Sequence, residues 1–450
     1  MNDVLKVHFI SLGCDKNLAD SEYMLGVLRL RGYAFTDDAN EADAVVINTC
    51  SFILDAKEES INTILEMVEL KKAGRLKAIV VAGCLAQRYR DEMKDEIPEV
   101  DGLVGVTATE SIADALDRAL RGQKPAFFND ISAPMPQYEG KRVLTTGGHY
   151  AYLKIAEGCD KHCTYCAIPR IRGQYRSVPM EELLKQAEDL AKSGVKELIL
   201  VAQETTVYGK DLYGKKCLPA LLRKLCKIPG FYWIRILYCY PEEITDELIE
   251  VIHDEPKICH YLDMPVQHAS DSVLARMGRR TNETELRGRI ASLRARIPDI
   301  CLRTSLITGF PGETQEDFEE LYRFVNDIEF DRLGVFTYSR EEDTAAYDMP
   351  DQIEEEVKEF RRDEIMTLQQ EIISESGAAM AGRVMDAMVE GKLADEDVYI
   401  ARTYRDAPNV DGFVFIHTHA SLMTGDFVKV KVTGSNDYDL IGEIFDEYSE

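Results

Sequence analysis

A chain of 450 residues with 45% hydrophobic and 30% charged side chains supports two or three domains with cores of their own and excludes a disordered chain. A formal charge of −27 argues against a general nucleic-acid binder, whose affinity rests on neutralising phosphates; a basic partner, or solubility alone, suits the acidity. The opening Met1-Asn2-Asp3-Val4-Leu5-Lys6 lacks the apolar core of a signal peptide and no apolar run would cross a bilayer, so a cytoplasmic protein is expected, one whose eleven cysteines point to metal ligation over disulfides.

The first domain is expected over residues 1 to about 140. Lys6 to Gly13 reads as a buried strand and Asn17 to Arg31 as a helix; strands at Ala44 to Thr49 and Ala78 to Ala82 follow, with a helix over about Asp55 to Lys72 between them. Alternating strands and helices predict a doubly wound parallel sheet. Cys14, Cys50 and Cys84 each sit just past a strand, although 36 and 34 residues separate them. The carboxyl ends of parallel strands share one edge, so the three thiols are expected to converge there as metal ligands; small buried cysteines filling space would not recur at one topological place. Gly13 and Gly83 would let the backbone approach a cluster, while Asn17 and Asn48 would either hydrogen-bond its sulfurs or cap turns.

The central domain is expected over about 145 to 376. Tyr150 to Ala156 reads as a strand leading into Cys159-Asp160-Lys161-His162-Cys163-Thr164-Tyr165-Cys166. Three thiols so spaced close on one iron-sulfur cluster but leave one iron without a protein ligand, open to a substrate. A zinc knot or an electron carrier would want a fourth ligand, and His162 lies between the cysteines, poorly placed to be one. Five further strand-like runs, Leu198 to Ala202, Trp233 to Tyr238, Tyr261 to Val266, Cys301 to Thr308 and Arg332 to Thr337, alternate with amphipathic helices such as Met180 to Lys192, Ile244 to Ile252, Thr284 to Arg296 and Gln315 to Asp327. Six such units predict a barrel or partial barrel with its chemistry at the carboxyl ends of the strands. Gln203 and Glu204 follow the second strand, where Glu204 would serve as a helix cap or a ligand group; His268 after the fourth is structural or a proton carrier; Ser305 to Glu313 is a glycine-containing strand end with Glu313 set to cap the next helix. Cys217, Cys226, Cys239, Cys259 and Cys301 lack ligand spacing and read as core thiols. A charged helix with a solvated face, Gln352 to Ser376, with Glu354, Glu355 and Glu356 facing Arg361 and Arg362, connects to the end of the chain.

Residues 377 to 450 alternate short strands with Gly, Asn and Asp turns, which predicts a small five-stranded antiparallel barrel. They hold six Lys and Arg against fourteen Asp and Glu, a surface that repels phosphate and attracts a basic protein.

The cluster loop resembles that of the radical S-adenosylmethionine (SAM) enzymes, and Leu12-Gly13-Cys14-Asp15-Lys16-Asn17, Asn48-Thr49-Cys50-Ser51-Phe52 and Ala82-Gly83-Cys84-Leu85-Ala86-Gln87 together with it resemble the methylthiotransferase family. The resemblance implies a central open six-stranded radical SAM barrel and a closing TRAM domain. It also implies two 4Fe-4S clusters, one on Cys159, Cys163 and Cys166 that chelates SAM and an auxiliary one on Cys14, Cys50 and Cys84. In that family Tyr165 would lie beside the adenine, Gln203 and Glu204 would stand at the motif that holds the methionine amino group, and Ser305 and Gly309 in the one that contacts the adenosyl group. Ala167-Ile168-Pro169-Arg170-Ile171-Arg172-Gly173 and Pro265-Val266-Gln267-His268-Ala269-Ser270-Asp271 look like the branch that methylthiolates the β-carbon of an aspartate on the basic small-subunit ribosomal protein near the decoding centre. Such an enzyme needs an external electron donor and a sulfur source. The branch that modifies adenosine in transfer RNA is the alternative, usually with a Gln-Ser-Gly-Ser-like run where this chain has Gln267-His268-Ala269-Ser270. A non-enzymatic iron-sulfur scaffold or carrier is the alternative of another class.

Overall fold

The computed structural model describes residues 4–133 and 142–445. Its first sheet has six strands, all parallel, in the order β2-β1-β3-β4-β5-β6. They are β1 (Lys6–Ser11), β2 (Ala34–Phe35), β3 (Ala44–Thr49), β4 (Ala78–Gly83), β5 (Gly102–Val104) and β6 (Ala126–Phe127), with helices α1 (Asp15–Arg31), α2 (Leu54–Lys72), α3 (Cys84–Arg88), α4 (Arg90–Glu96) and α5 (Ile112–Ala119) between them. The unbroken apolar text of β3 and β4 follows from burial on both faces. Val46, Val80 and Ala82 pack with Met24, Leu28 and Leu116 on one side, and Val45, Ile47, Ile79 and Val81 with Ile64 and Val68 on the other. Each such side chain contributes about 1.5–3 kcal/mol when buried. The expected doubly wound sheet is therefore present.

The central sheet is open and runs β14-β13-β12-β11-β10-β7, again with every neighbour parallel. Its strands are β7 (Tyr150–Lys154), β10 (Glu197–Val201), β11 (Trp233–Ile236), β12 (Ile258–Asp263), β13 (Cys301–Thr308) and β14 (Arg332–Thr337); β8 (Ala156–Glu157) and β9 (Arg176–Ser177) form a small antiparallel pair. Helices α6 (Ile168–Arg172), α7 (Met180–Lys192), α8 (Lys210–Tyr213), α9 (Leu218–Leu225), α10 (Asp246–Asp254), α11 (Asp271–Arg276), α12 (Glu283–Arg296) and α13 (Gln315–Ile328) lie along the chain, and α14 (Glu355–Ala378) leads out of the domain. The fourth strand lies three residues earlier than the pattern Tyr261 to Val266 suggests, because Pro265 has no N–H to continue the ladder. Two further expectations change. Thr314, with Asp317 in a capping box, caps α13, while Glu313 accepts from Phe310 N and Arg361 instead. Along α14, Arg361 turns inward to Glu313 and Arg362 pairs with its neighbour Asp363, so neither arginine is paired with Glu354, Glu355 or Glu356 as expected.

The last five strands, β15 (Val384–Lys392), β16 (Val398–Thr403), β17 (Val414–His417), β18 (Phe427–Asn436) and β19 (Asp439–Ile444), close into a barrel. Its β17–β19 seam is parallel and the others antiparallel, since an odd number of strands cannot alternate all the way round.

The two outer domains grip opposite ends of the central sheet. The closed barrel seats on the amino ends of its strands: Arg332 pairs with Asp406 at 2.6 Å, Arg405 with Asp331 at 2.5 Å, and Phe427 stacks on Tyr232 at 3.9 Å. The first domain sits at the carboxyl ends, where Tyr238 donates to Asp15 at 2.9 Å and Arg88 to Glu341 at 3.0 Å.

Glu197, at the start of β10, anchors the barrel. Its carboxylate accepts from Arg235 and Arg402, each at 2.7 Å, and all three side chains are fully buried. Glu197→Ala would leave two buried guanidinium groups short of their carboxylate, so urea unfolding is expected to show a loss of about 3–5 kcal/mol. A loss below about 1 kcal/mol would mean that the arginines are satisfied without it.

Candidate functional site

One set of three cysteines stands at the carboxyl ends of parallel strands, and the other shares a single loop. Cys14 precedes α1, Cys50 follows β3 and Cys84 opens α3 directly after β4; β1, β3 and β4 are neighbours in the sheet, so three loops distant in sequence share one edge. Local backbone permits the approach. Gly13 and Gly83 have φ of +86° and +88°; a Cβ on Gly13 would lie 3.1 Å from the Cys50 sulfur, and one on Gly83 2.7 Å from the Thr49 oxygen. Asn17 binds the loops together by donating to Leu12 O at 2.8 Å and Thr49 O at 2.9 Å, while Asn48 donates to Asn17 O and the Ser21 hydroxyl. Asn17 Oδ1 also lies 3.9 Å from the Cys84 sulfur.

Cys159, Cys163 and Cys166 occupy the loop between β8 and α6. Backbone folds tightly there: Cys159 N donates to Gly173 O at 3.1 Å, Cys166 N to Cys163 O at 3.0 Å, and Thr164 N to Met277 O at 2.9 Å. His162 adopts a φ of +53° and is exposed, which leaves it outside the thiol set. Lys161 N lies 3.5 Å from the Cys159 sulfur and Tyr240 hydroxyl 3.9 Å from that of Cys163.

Burial pushes the thiols of Cys50 and Cys159 up to about 12, with neighbouring cysteines adding to the effect. Left alone they are neutral thiols, and a metal that binds them displaces the protons. Among the described residues no three His, Cys, Asp or Glu side chains close on a single ion. A cubane of four irons and four sulfides is far wider than one ion, so its ligands stand further apart.

Four buried charges join the two cysteine-bearing domains. Arg172, the last residue of α6, donates through Nη1 to Asp20 and Glu157, both at 2.8 Å, and through Nη2 to Asn17 Oδ1 at 2.5 Å and the Cys84 sulfur at 3.3 Å. Lys154 binds the same Asp20 and Glu157. Glu157 Oε1 accepts from Gln203 Nε2 at 2.7 Å. Such charges are tolerable inside a protein only when paired.

At the carboxyl end of the central sheet several buried polar atoms have no hydrogen-bond partner: Tyr165 hydroxyl, Gln203 Oε1, Glu204 Oε2, and Nε and Nη1 of Arg279. Glu204 stands 3.3 Å from Lys161 Nζ, and burial pushes its carboxyl up to about 7 against the pull of that lysine. The guanidinium of Arg279 stacks 4.4 Å over the Tyr240 ring. Arg279, Tyr240, Lys161, Glu157 and Arg172 carry no spacing signal in the sequence; only the fold gathers them. Glu204 caps no helix. Ser305 lies on β13, half-buried, and Gly309 follows that strand with a φ of +71°, where a Cβ would strike the stem of Lys358. That glycine is thus required by α14 packing. His268 is fully buried, accepts from Ser270 N at 3.0 Å and faces Glu313 at 3.6 Å, and its Nε2 has no hydrogen-bond partner among the described residues.

Residues 6–105 match the uncharacterized protein family UPF0004, residues 153–325 the radical SAM superfamily and residues 381–445 the TRAM domain. The chain is similar to proteins named ribosomal protein uS12 methylthiotransferase RimO: 61% identical to that of Lachnoclostridium phytofermentans over 97% of this chain and 99% of the relative, and 51% to that of Acetivibrio thermocellus over 99% of each. The chain belongs to the RimO family of radical SAM methylthiotransferases. In fold alone it resembles the radical SAM methyltransferase TsrM of Kitasatospora setae, with a TM-score of 0.52 and 13% identity over 74% of this chain and 72% of that one.

Membership of the radical SAM superfamily implies a 4Fe-4S cluster and SAM. The thiol loop suits the one and the unpartnered donors and acceptors beside it suit a zwitterionic ligand. The loop depends on Gly158, whose φ is +79° and whose Cβ position lies 2.1 Å from Gln174 O. Gly158→Ala is expected to lower unfolding stability by about 1 kcal/mol or more and to reduce the iron retained per chain. Unchanged values of both would show that the loop moves aside freely.

Proposed function

We propose that this chain methylthiolates the β-carbon of an aspartate on ribosomal protein uS12, using two 4Fe-4S clusters held by Cys159, Cys163 and Cys166 and by Cys14, Cys50 and Cys84. The reading is carried by one observation: two sets of three thiols belong to different domains, and both stand at the carboxyl-end side where those domains meet. The relatives' names supply the substrate. When bound, the cluster and SAM supply one-electron chemistry that removes hydrogen from an unactivated carbon, which side-chain bases do not do.

The chain's own residues orient and neutralise. Glu204 Oε2 and Gln203 Oε1 would accept from the amino group of SAM, Arg279 would offer two donors to its carboxylate, and Tyr165, whose ring meets Phe310 edge-on at 6.5 Å, would lie beside the adenine. Ser305 and Gly309, on and just after β13, would contact the adenosyl group. The acidic closing barrel acts on a basic substrate from the far end of the central sheet, so it contributes attraction over distance and does not line the reaction site. An external electron donor and a sulfur source complete the reaction. Among the described residues no helix is long and apolar enough to cross a membrane, and the work is assigned to the cytoplasm, where ribosomes are.

Mass spectrometry of uS12 after anaerobic turnover is expected to find a methylthio group on an aspartate, and none with Cys14, Cys50 and Cys84 replaced by Ala. Label found only in transfer RNA would contradict the assignment, and intact SAM under strong reductant would favour a carrier or scaffold.

Burial raises the Glu204 carboxyl to about 7, so its carboxylate is lost as pH falls through that value. SAM should therefore bind about tenfold more weakly at pH 6 than at pH 8, and the Glu204→Gln variant should show no such dependence. A wild-type affinity independent of pH would remove Glu204 from the amino-group site.

A further inference from the structure

We infer that Arg172 is a positioning residue of the auxiliary cluster: a guanidinium from the central domain that donates to the Cys84 sulfur of the first domain and thereby sets the electronic character of that cluster. This rests on the proposal above that Cys14, Cys50 and Cys84 hold a second cluster.

The geometry assigns the role. Arg172 is 1% exposed, and its two terminal nitrogens face different partners. Nη1 serves the carboxylates of Asp20 and Glu157, the ordinary work of a buried cation. Nη2 makes contacts that charge neutralisation alone does not require, to Cys84 Sγ at 3.3 Å and Asn17 Oδ1 at 2.5 Å. Asn17 is itself fixed, because its amide nitrogen is committed to Leu12 O and Thr49 O on the loops that carry Cys14 and Cys50; its oxygen has to face the arginine. Nη2 is thus aimed at one ligand sulfur by a residue that ties the other two ligand loops. Burial lifts the Cys84 thiol and the adjacent arginine opposes that effect.

A donor on a ligand sulfur stabilises the more electron-rich, reduced state of an iron-sulfur cluster and raises its potential. None of the contacts of Arg172 reaches the sulfurs of Cys159, Cys163 or Cys166, although Arg172 lies only six residues past Cys166 in the chain. The effect should therefore be confined to one cluster. Lysine retains the charge but has a single ammonium, too compact to reach both the carboxylate pair and the sulfur with its amide neighbour.

The test is an anaerobic redox titration, followed by electron paramagnetic resonance, of reconstituted wild-type protein and Arg172→Lys. Expected are about eight irons per chain in both by cluster stoichiometry, an auxiliary potential displaced to more negative values in the variant with an altered signal, and an unchanged radical-cluster potential. An unmoved auxiliary potential, or equal shifts in both clusters, would overturn the inference. Should Arg172→Lys fail to fold, Glu157→Gln decides: removing a negative charge beside the arginine should move the auxiliary potential upward, and no movement would overturn the role. About four irons in the wild type would instead refute the second cluster itself.

Discussion

Asp20 from the first domain and Lys154, Glu157 and Arg172 from the central one are buried together, and burial makes their pairing obligatory. Removing one member leaves an uncompensated charge in a low-dielectric interior, which costs several kcal/mol on the order expected for broken buried pairs. The pose of the first domain on the central sheet is therefore specified by charge as well as by shape. Because α1 carries Asp20 and is preceded directly by Cys14, and because β7 and β8 lead into and α6 follows the loop of Cys159 to Cys166, fixing these charges also fixes the two sets of thiols relative to each other.

The closing barrel is held on the other end by a second buried set, Glu197 with Arg235 and Arg402. Two outer domains thus clamp the open sheet from opposite ends, one bearing chemistry and the other bearing charge. The acidic residues of the barrel stand away from the cysteines, so on the proposed reading they would act on a basic protein through the field around the molecule. Such a field raises encounter rates and discriminates against phosphate-rich partners without touching the reacting atoms.

The layout of strands and helices is legible in the sequence wherever burial on two faces forces unbroken apolar runs, as in Ala44–Thr49 and Ala78–Gly83, and the six cysteines are legible because each ends such a run or shares one short loop. The short strands Gly102–Val104 and Ala126–Phe127 are too brief to show a period, and Pro265 displaced the end of the fourth central strand. The partners of the cysteines are not legible. Lys154, Glu157, Arg172 and Arg279 belong to residue types usually found at surfaces, and nothing local announces that tertiary contact buries them. Gly309 illustrates the converse: its glycine is readable, but the reason for it, the stem of Lys358 on a helix some fifty residues on, is visible only in the fold.

Whether the two sets of thiols serve one reaction space is decided by the magnetic interaction between their clusters. Electron paramagnetic resonance of the fully reconstituted, reduced protein should show spin–spin coupling that disappears when either set, Cys14, Cys50 and Cys84 or Cys159, Cys163 and Cys166, is replaced by Ala. A spectrum equal to the sum of the two single-cluster variants would place the clusters too far apart to share a substrate, and would contradict the convergence on which this account of the protein stands.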